Sequence, residues 1–248
     1  MINPISLKKN KRLAEIVGII LGDGNLSKNG NTLTITLNII QEPEYVDYVY
    51  NFLKTIFFKT PRFQILPNNE AIQLRIHSRA LIRELISLGL KKGDKVKNQV
   101  GVPNWIKSNI KFAKACLKGL IDTDGSIFPV RRENCIKMNF KNNSKPLVAD
   151  FKKMCEILDI RVSKIISGIT NSFRGKKFEY FKIHIGAKDQ VAKFLHLIKP
   201  MKWKFKYRKL EEVLKENGST VENAFKYKLE DNLRYYPNKL INELKKNK

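Results

Sequence analysis

The 248-residue sequence contains little acid, few cysteines and no long hydrophobic run. No stretch approaches the roughly eighteen consecutive apolar residues of a membrane-spanning helix. Residues 1–12 also lack the apolar run and small-residue cleavage site of a signal peptide. Cys116, Cys135 and Cys155 are scattered, with no Cys-x-x-Cys pair, which predicts reduced thiols and neither disulfides nor a zinc site. We therefore expect an intracellular protein, cytoplasmic, or organellar if the host is eukaryotic.

The scarcity of acidic residues leaves a large positive surplus. The chain has 48 Lys and Arg against 23 Asp and Glu, a formal net charge of +25. Such a surplus repels itself unless an anionic partner binds it, and nucleic acid is the usual partner of a strongly basic folded protein. The hydrophobic content of 42% predicts a folded core and not a disordered basic tail. Composition thus predicts nucleic-acid binding and indicates no chemistry.

An internal repeat organises the chain. The segment from Ile16 to Gly24, Ile-Val-Gly-Ile-Ile-Leu-Gly-Asp-Gly, aligns with Leu117 to Gly125, Leu-Lys-Gly-Leu-Ile-Asp-Thr-Asp-Gly. After each motif the hydrophobic pattern predicts a strand pair, an amphipathic helix, a second strand pair and another helix. The predicted fold class is therefore α+β, with two pseudo-symmetric αββαββα halves.

The hydrophobic periodicity gives the predicted bounds of the elements. In the first half, we predict strands over 31–38, 62–66 and 71–77, and helices over 44–57 and 79–88. In the second half, we predict strands over 126–130, 134–141, 161–167 and 178–185, and helices over 145–158 and 188–198. The halves span residues 1–90 and 109–200, joined by a Lys- and Gly-containing linker over 91–108. Residues 201–248 form a basic helical C-terminal extension.

Apolar and polar side chains alternate along the predicted strands. Each antiparallel sheet should therefore have one apolar face under helices and one open polar face. An open face of this kind is ordinary, so no single strand indicates DNA binding. Four strands rich in Thr, Asn, Gln, Arg and Lys nevertheless suit the DNA major groove, where these side chains contact base edges. The candidate DNA-binding residues are Thr32, Thr34, Thr36, Asn38, Gln73, Arg75, His77, Lys137, Asn139, Asn142 and His184.

Each motif begins as an apolar helix with a glycine at its middle, Gly18 in the first and Gly119 in the second. A mid-helix glycine costs roughly 0.5–1 kcal/mol relative to alanine. Its repetition in equivalent places indicates a helix–helix interface, because a missing Cβ lets two backbones approach closely.

Each motif helix then ends in Asp-Gly, at Asp23 and Asp124. A carboxylate is unfavourable at the negative end of a helix dipole, and two such carboxylates side by side repel each other. Hard divalent cations, coordinated by carboxylate and phosphate oxygens, would relieve that repulsion. One Asp-Gly could equally be a turn after a buried helix, whereas a repeated pair favours a metal site.

Both motifs resemble the signature of the LAGLIDADG homing endonucleases, the second more closely. The flanking segments Val102-Pro-Asn-Trp-Ile106 and Phe140-Lys-Asn-Asn-Ser-Lys145 also resemble family members that carry two motifs, and the resemblance extends over about residues 12–208. It implies a monomer whose two sheets form a saddle over the major groove of double-stranded DNA, with the motif helices packed at a pseudo-twofold axis. It also implies Mg²⁺-dependent cutting of both strands, leaving short 3′ overhangs, with Mn²⁺ or Ca²⁺ able to replace Mg²⁺ for binding.

The resemblance assigns the metal to Asp23 and Asp124, together with their neighbours Gly22 and Thr123. The first motif departs from the family pattern at Leu21, where the second has Asp122, but that position is usually not the metal ligand in the family.

Polar or basic residues near the strand ends order water or stabilise the leaving group in the family. By position, the catalytic candidates of this kind are Gln41, Lys141 and Lys182, with Asn142 and His77 as alternatives. Each could equally contact a phosphate or be solvated. None of the three histidines has metal-ligand spacing.

Three functions remain open at this stage. A sequence-specific nuclease is favoured because both motif acids are retained. An RNA-splicing maturase, with RNA as the partner, and a non-catalytic DNA-binding regulator are alternatives on the same fold. An intein would need splice-junction residues, whereas this chain begins Met-Ile and ends Lys-Asn-Lys, so we expect a free-standing enzyme.

Overall fold

A computed structural model of the chain describes residues 6–66, 70–130, 133, 135–171, 175 and 177–203. The first half contains, in order, α1 (Lys11–Gly22), β1 (Gly24–Leu26), β2 (Thr32–Asn38), α2 (Pro43–Phe57), β3 (Arg62–Ile65), β4 (Ala71–His77) and α3 (Arg79–Ser87). After a one-turn helix, α4 (Asn104–Lys107), the second half contains α5 (Ile110–Asp124), β5 (Gly125–Val130), β6 (Cys135–Asn142), α6 (Lys145–Ile157), β7 (Ile166–Asn171), β8 (Lys177–Ile185) and α7 (Lys188–Ile198). The predicted α+β class with two αββαββα halves is confirmed.

Each half forms one four-stranded antiparallel sheet. The strand order is β1-β2-β4-β3 in the first sheet and β5-β6-β8-β7 in the second. Gly24 and Gly125, which follow the two motif aspartates, occupy equivalent places, opposite Ile35 on β2 and Phe140 on β6. Both sheets therefore start directly from the C-terminal ends of the motif helices.

The strands separate apolar from polar side chains as their alternation predicts. Leu33 and Ile35 on β2 and Leu74 on β4 are fully buried against the helices. Their neighbours along the strands lie on the opposite, open face, where directly opposed residues share a side. These open-face pairs are Thr32–His77, Thr34–Arg75, Thr36–Gln73, Asn139–His184 and Lys141–Lys182.

The motif helices α1 and α5 make the most extensive helix–helix contact in the described chain. A Cβ on Gly18 would overlap the carbonyl oxygen of Cys116, and a Cβ on Gly119 would overlap that of Glu15. The two mid-helix glycines therefore lie where the helix backbones touch, as their repetition in the two motifs predicts. Side-chain caps start both helices, since Asn10 accepts from Leu13 N–H at 2.9 Å and Asn109 accepts from Lys111 N–H at 2.9 Å.

A charged cluster also links α1 and α5 to α2. Lys118 Nζ donates to Glu15 Oε1 at 2.7 Å and to Tyr48 Oη at 2.9 Å, and the Tyr48 hydroxyl also donates to Glu15. Lys118 and Glu15 are both mostly buried. Because each charged group has an opposite partner, the cluster joins the two halves without leaving a buried charge uncompensated.

The predicted strand over 161–167 is wrong in its bounds, because β7 begins at Ile166 and continues to Asn171. Arg161 N–H donates to Gln190 Oε1 at 2.8 Å, so it is not available to a strand partner. Ser163 makes an isolated pair of bonds with His184, each 2.9 Å long. Side-chain contacts from α7 thus delay the start of the strand.

The predicted linker is more ordered than an irregular connection. It contains α4, and its Val100, Val102 and Ile106 side chains are buried in the core. Asp150 on α6 accepts from Val102 N–H at 2.7 Å and from Lys107 Nζ at 2.8 Å. The later part of the linker is therefore attached to the second half.

Residues 201–203, which the sequence assigned to the extension, are helical, and Met201 and Trp203 are buried. The rest of the predicted extension, 204–248, lies outside the described residues. No helix in the described ranges is long and apolar enough to cross a membrane.

Replacing Gly119 with Ala should lower the thermal stability of the protein. Alanine gains up to about 1 kcal/mol of helix propensity, but its Cβ would meet backbone atoms of α1 that can move only if the helices separate. Overpacking of this kind costs about 1–3 kcal/mol, and each kcal/mol lowers Tm by roughly 2–4 °C in a chain of this size. Calorimetry should show a lower Tm for Gly119→Ala and an unchanged Tm for Gly186→Ala, where a Cβ meets open space. Equal Tm values for the two variants would contradict the packing argument.

Candidate metal centre and nucleic-acid interface

The two motif aspartates come together because their helices end side by side. Asp23 caps α1, with its N–H donating to Ile19 O at 3.0 Å, and Asp124 is the last residue of α5. A Cβ on Gly22 would overlap the Thr123 side chain, so the predicted neighbours of the two acids touch across the axis. Thr123 Oγ1 donates to Gly119 O at 2.9 Å and thereby faces its own helix.

Burial raises the pKa of both acids, and repulsion by Asp124 adds to the rise at Asp23. The pKa of Asp23 rises to about 7, first because the carboxyl is buried and then because Asp124 is close. Burial also raises the pKa of Asp124, and the hydrogen bond from Asn142 opposes that rise. Asn142 Nδ2 donates to Asp124 Oδ2 at 2.7 Å. Asn142, which the sequence offers as a DNA contact and as an alternative catalytic residue, therefore holds a motif acid, and both of its predicted roles stay predictions.

Two lysines lie close enough to the acid pair to stabilise its charged form. Lys95, from the predicted linker, lowers the pKa of both Asp23 and Asp124, as does Lys202. Lys95 Nζ donates to Leu21 O at 3.0 Å and to Gly22 O, and its burial lowers its own pKa. Lys202 Nζ pairs with Glu42 Oε2 at 2.5 Å. The ends of the motif helices thus carry two acids and two nearby bases.

Sequence reasoning missed both lysines. Lys95 is one of several lysines in a segment whose pattern indicated only a connection, and Lys202 follows α7 within a basic stretch. A signal existed in the repeat, because each lysine follows the last helix of its half, α3 or α7. The differing spacing from the preceding helix hides that equivalence in the sequence.

Asp122 has a structural role in the second half. It is fully buried and accepts from Met201 N–H and Lys202 N–H, both at 2.8 Å. Burial raises its pKa to about 7, and these two backbone donors oppose the rise. The acid therefore fixes the backbone beside Lys202. The first motif has Leu21 at this position, where the chain offers no equivalent carboxylate.

The donor set at the helix ends fits a hard divalent cation. Such ions prefer carboxylate and carbonyl oxygens. A cation bound between the two close carboxylates would remove the repulsion between them. Within the described residues there is no group of three or more His, Cys, Asp or Glu that could hold a metal alone. Further oxygens would have to come from outside the protein, and DNA phosphates would supply them.

The other predicted catalytic residues do not contact the acid pair. Gln41 is exposed in the turn before α2, where its N–H donates to Asn38 Oδ1 at 2.8 Å. Lys141 and Lys182 lie opposite each other on the open face of the second sheet, and Lys141 Nζ lies 3.9 Å from the centre of the Tyr180 ring. Their predicted roles stay predictions.

The remaining candidates line the two open faces, and several are held by neighbours. Thr32 Oγ1 and His77 Nδ1 are 2.9 Å apart. Arg75 Nε donates to Gln73 Oε1 at 3.0 Å, and Lys137 pairs with Glu133 at 2.6 Å. Burial and two nearby lysines lower the pKa of His184, which favours its neutral form. The candidates that remain on these faces are Thr32, Thr34, Thr36, Asn38, Gln73, Arg75, His77, Lys137, Asn139 and His184.

Family comparison agrees with this architecture. Residues 14–107 match the LAGLIDADG DNA endonuclease family, and residues 111–199 match the LAGLIDADG-like domain. The chain belongs to the LAGLIDADG family. Each match contains one motif helix, one sheet and one motif aspartate, so this family member carries two LAGLIDADG motifs in a single chain.

Curated relatives match over limited parts of their length. The chain is 26% identical over 200 residues to the tRNA-splicing ligase RtcB of Pyrococcus abyssi, covering 75% of this chain and 22% of that protein. It is 30% identical over 174 residues to the replication factor C small subunit of Methanocaldococcus jannaschii, covering 61% of this chain and 9% of that protein. The chain thus spans about a fifth or less of these relatives.

Two solved structures share the fold at low sequence identity. I-DmoI, solved in complex with DNA and Mn, is 18% identical with a TM-score of 0.50, covering 76% of this chain and 96% of I-DmoI. Full-length DUF199/WhiA from "Thermatoga maritima" is 13% identical with a TM-score of 0.55, covering 99% of this chain and 69% of that protein. Both likenesses support the double LAGLIDADG architecture.

Replacing Asp23 with Asn should stabilise the metal-free protein at pH 8. The folded-state pKa of about 7 exceeds the ordinary value of 3.8, so the folded state binds this proton more tightly. Stability from this group is therefore present at low pH and lost as pH rises from about 4 through 7. In EDTA, Asp23→Asn should raise Tm by a few degrees at pH 8 and have little effect near pH 4. The exposed Asp159→Asn is the control, and a lower Tm for Asp23→Asn at pH 8 would contradict the repulsion argument.

Proposed function

We propose that this protein is a sequence-specific homing endonuclease that makes a metal-dependent double-strand break in a long DNA target. The observation that carries the proposal is the pair of partly buried aspartates at adjoining helix ends, Asp23 and Asp124, with Lys95 and Lys202 beside them. Such an arrangement is unfavourable in a purely structural role, because desolvation opposes the charge of both acids and repulsion by Asp124 further opposes that of Asp23. We further propose that it acts inside the cell as a monomer, since both motifs are in one chain, and leaves short 3′ overhangs.

Asp23 and Asp124 would hold Mg²⁺, with the Gly22 backbone and Thr123 adjoining them. The bound ion would polarise a phosphate oxygen and lower the pKa of water at the scissile bond. Each aspartate lies at the end of the motif helix of a different half, so each is suited to one DNA strand. Asn142 keeps Asp124 oriented through its 2.7 Å hydrogen bond, whereas Asp23 has Lys95 and Lys202 as compensating charges.

Lys95 and Lys202 would stabilise the negative charge that grows on the phosphate during cleavage. Both are positioned before DNA arrives, Lys95 by carbonyls of α1 and Lys202 by Glu42 and the Asp122-bound backbone. Preorganised cations of this kind stabilise a transition state without further reorganisation. The open faces of the two sheets would hold the duplex, and the net charge of +25 would attract it.

A non-catalytic DNA-binding regulator and an RNA-splicing maturase are the alternative functions. They differ from the nuclease in what the acid pair does, since neither requires two buried carboxylates at the helix ends. Incubating the full chain with a randomised duplex library and Mg²⁺ separates them. Recovery of cleaved duplexes supports the nuclease, whereas binding without cleavage, or preference for structured RNA, supports an alternative.

Changing Asp23 or Asp124 to Asn should abolish cleavage of a selected target while leaving DNA affinity within a few-fold of the wild type. Each substitution removes one anionic oxygen ligand and leaves the sheet faces unchanged. Gel analysis of both strands, with a binding assay in Ca²⁺, measures the two effects separately, and Asp159→Asn serves as the control. Double-strand cleavage at the wild-type rate by either variant would show that the metal assignment is wrong.

Changing Lys95 to Met should lower the cleavage rate at saturating DNA at least tenfold with little change in affinity. Lys95 Nζ donates to the Leu21 and Gly22 carbonyls beside Asp23, and its charge lowers the pKa of both acids, whereas Lys97, two residues away, is exposed. Lys97→Met is therefore the matched control, and any effect it has should appear in affinity. Single-turnover kinetics distinguishes the two, and an unchanged rate for Lys95→Met would remove this lysine from the catalytic centre.

A further inference from the structure

The two open sheet faces differ in chemistry. On the open face of the first sheet, the paired strand residues are polar or basic apart from Ala71, within the residues that the structure describes. Arg75 donates to Gln73 Oε1, so this acceptor is already used. The groups that the pair offers to a ligand are therefore mainly N–H donors. Donors of this kind complement the two acceptors on the major-groove edge of guanine. The opposed pairs are Thr32–His77, Thr34–Arg75, Arg62–Arg75, Thr36–Gln73 and Gln64–Gln73.

Large apolar side chains lie on the open face of the second sheet. Ile166 is opposite Lys182, and Phe128 is opposite Lys137, so both share the face of these lysines. Phe178 lies on the same face, four residues before Lys182 on β8. Ile166 and Phe178 are 47% and 40% exposed.

One of these apolar residues, Ile166, adjoins the cationic residues that lead to the acid pair. Ile166, Lys182 and Lys141 lie in one row across β7, β8 and β6, and Asn142, the next residue of β6, binds Asp124. No strand residue on this face is acidic among those described. A partner that contacts this whole face is therefore anionic and also offers apolar groups beside its charges. The major groove does so through phosphates and the methyl groups of thymine.

We propose that the second sheet recognises thymine methyl groups through Ile166, Phe178 and Phe128, whereas the first sheet recognises hydrogen-bonding base edges. This inference rests on the proposed DNA-cleaving function and specifies its substrate. The target site is then chemically asymmetric, with one half that depends on thymine methyls and one half that does not.

Deoxyuridine substitution tests the proposal directly. Deoxyuridine pairs with adenine as thymidine does and lacks only the methyl group. Sites bound by the full chain are selected from a random duplex library in Ca²⁺, and each half of the selected site is then made with deoxyuridine in place of thymidine. Affinity should fall about fourfold for each methyl that is buried by the second sheet. The same change in the other half should alter affinity less than twofold.

Variants assign the sensitive half to the second sheet. Phe178→Ala and Ile166→Ala should bind more weakly to the thymidine site and should lose most of the difference between thymidine and deoxyuridine, since contacting groups are non-additive. Matched controls are Phe63→Ala and Ile169→Ala, which are 42% and 69% exposed and lie on the helix-side faces. These controls should keep the full difference.

The outcomes separate this inference from the proposed function. Thymine recognition would be overturned by equal deoxyuridine effects in both halves, by no effect in either half, or by full sensitivity in Phe178→Ala and Ile166→Ala. In each of these cases, cleavage by the wild type would still support the proposed nuclease function. Failure of the full chain to select any duplex would overturn both.

Discussion

Close contact between the backbones of α1 and α5 is the constraint on which the rest of the molecule depends. Gly18 and Gly119 permit that contact because any side chain there would overlap the opposing helix. When the two helices pack in this register, their C-terminal ends adjoin. This packing fixes the positions of Asp23 and Asp124 and of the first strand of each sheet. The position of the acids and the position of the first strand of each sheet are therefore consequences of one packing interaction.

That interaction is also what made much of the fold predictable. Repeated glycines and repeated Asp-Gly pairs are local signals, and the alternation of Leu33, Ile35 and Leu37 with polar residues is visible without any structure. The strand at Ile166 was misplaced because a side chain from α7, Gln190, takes the backbone donor of Arg161. Contacts of that kind join residues far apart in sequence and leave no periodic signal.

In the same way, local sequence signals identify some residues of the site, whereas contacts between distant residues determine the others. Asp23 and Asp124 are identifiable because the repeat places them at equivalent helix ends. Lys95 and Lys202 are not, since their proximity to the acids comes from where the segments after α3 and α7 pass those helix ends. Asn142, a predicted DNA contact, follows Lys141 and lies opposite the buried Phe181, so alternation itself places it off the open face, and its amide binds Asp124. Strand alternation thus predicts the side of a sheet and does not identify the acid that a side chain at the strand end binds.

The linker has a double attachment with a consequence for recombining such proteins. Lys95 binds carbonyls of α1 in the first half, whereas Val100, Val102 and Lys107 are bound to Ser144 and Asp150 of the second half. A chimaera that joins one half of this chain to a half from another family member therefore inherits a mismatched junction wherever the chain is cut between these points. The seam should preserve Lys95 with its own helix and rebuild the α6 contacts for the incoming half. Modular exchange in this architecture is thus limited less by the two sheets than by the connection between them.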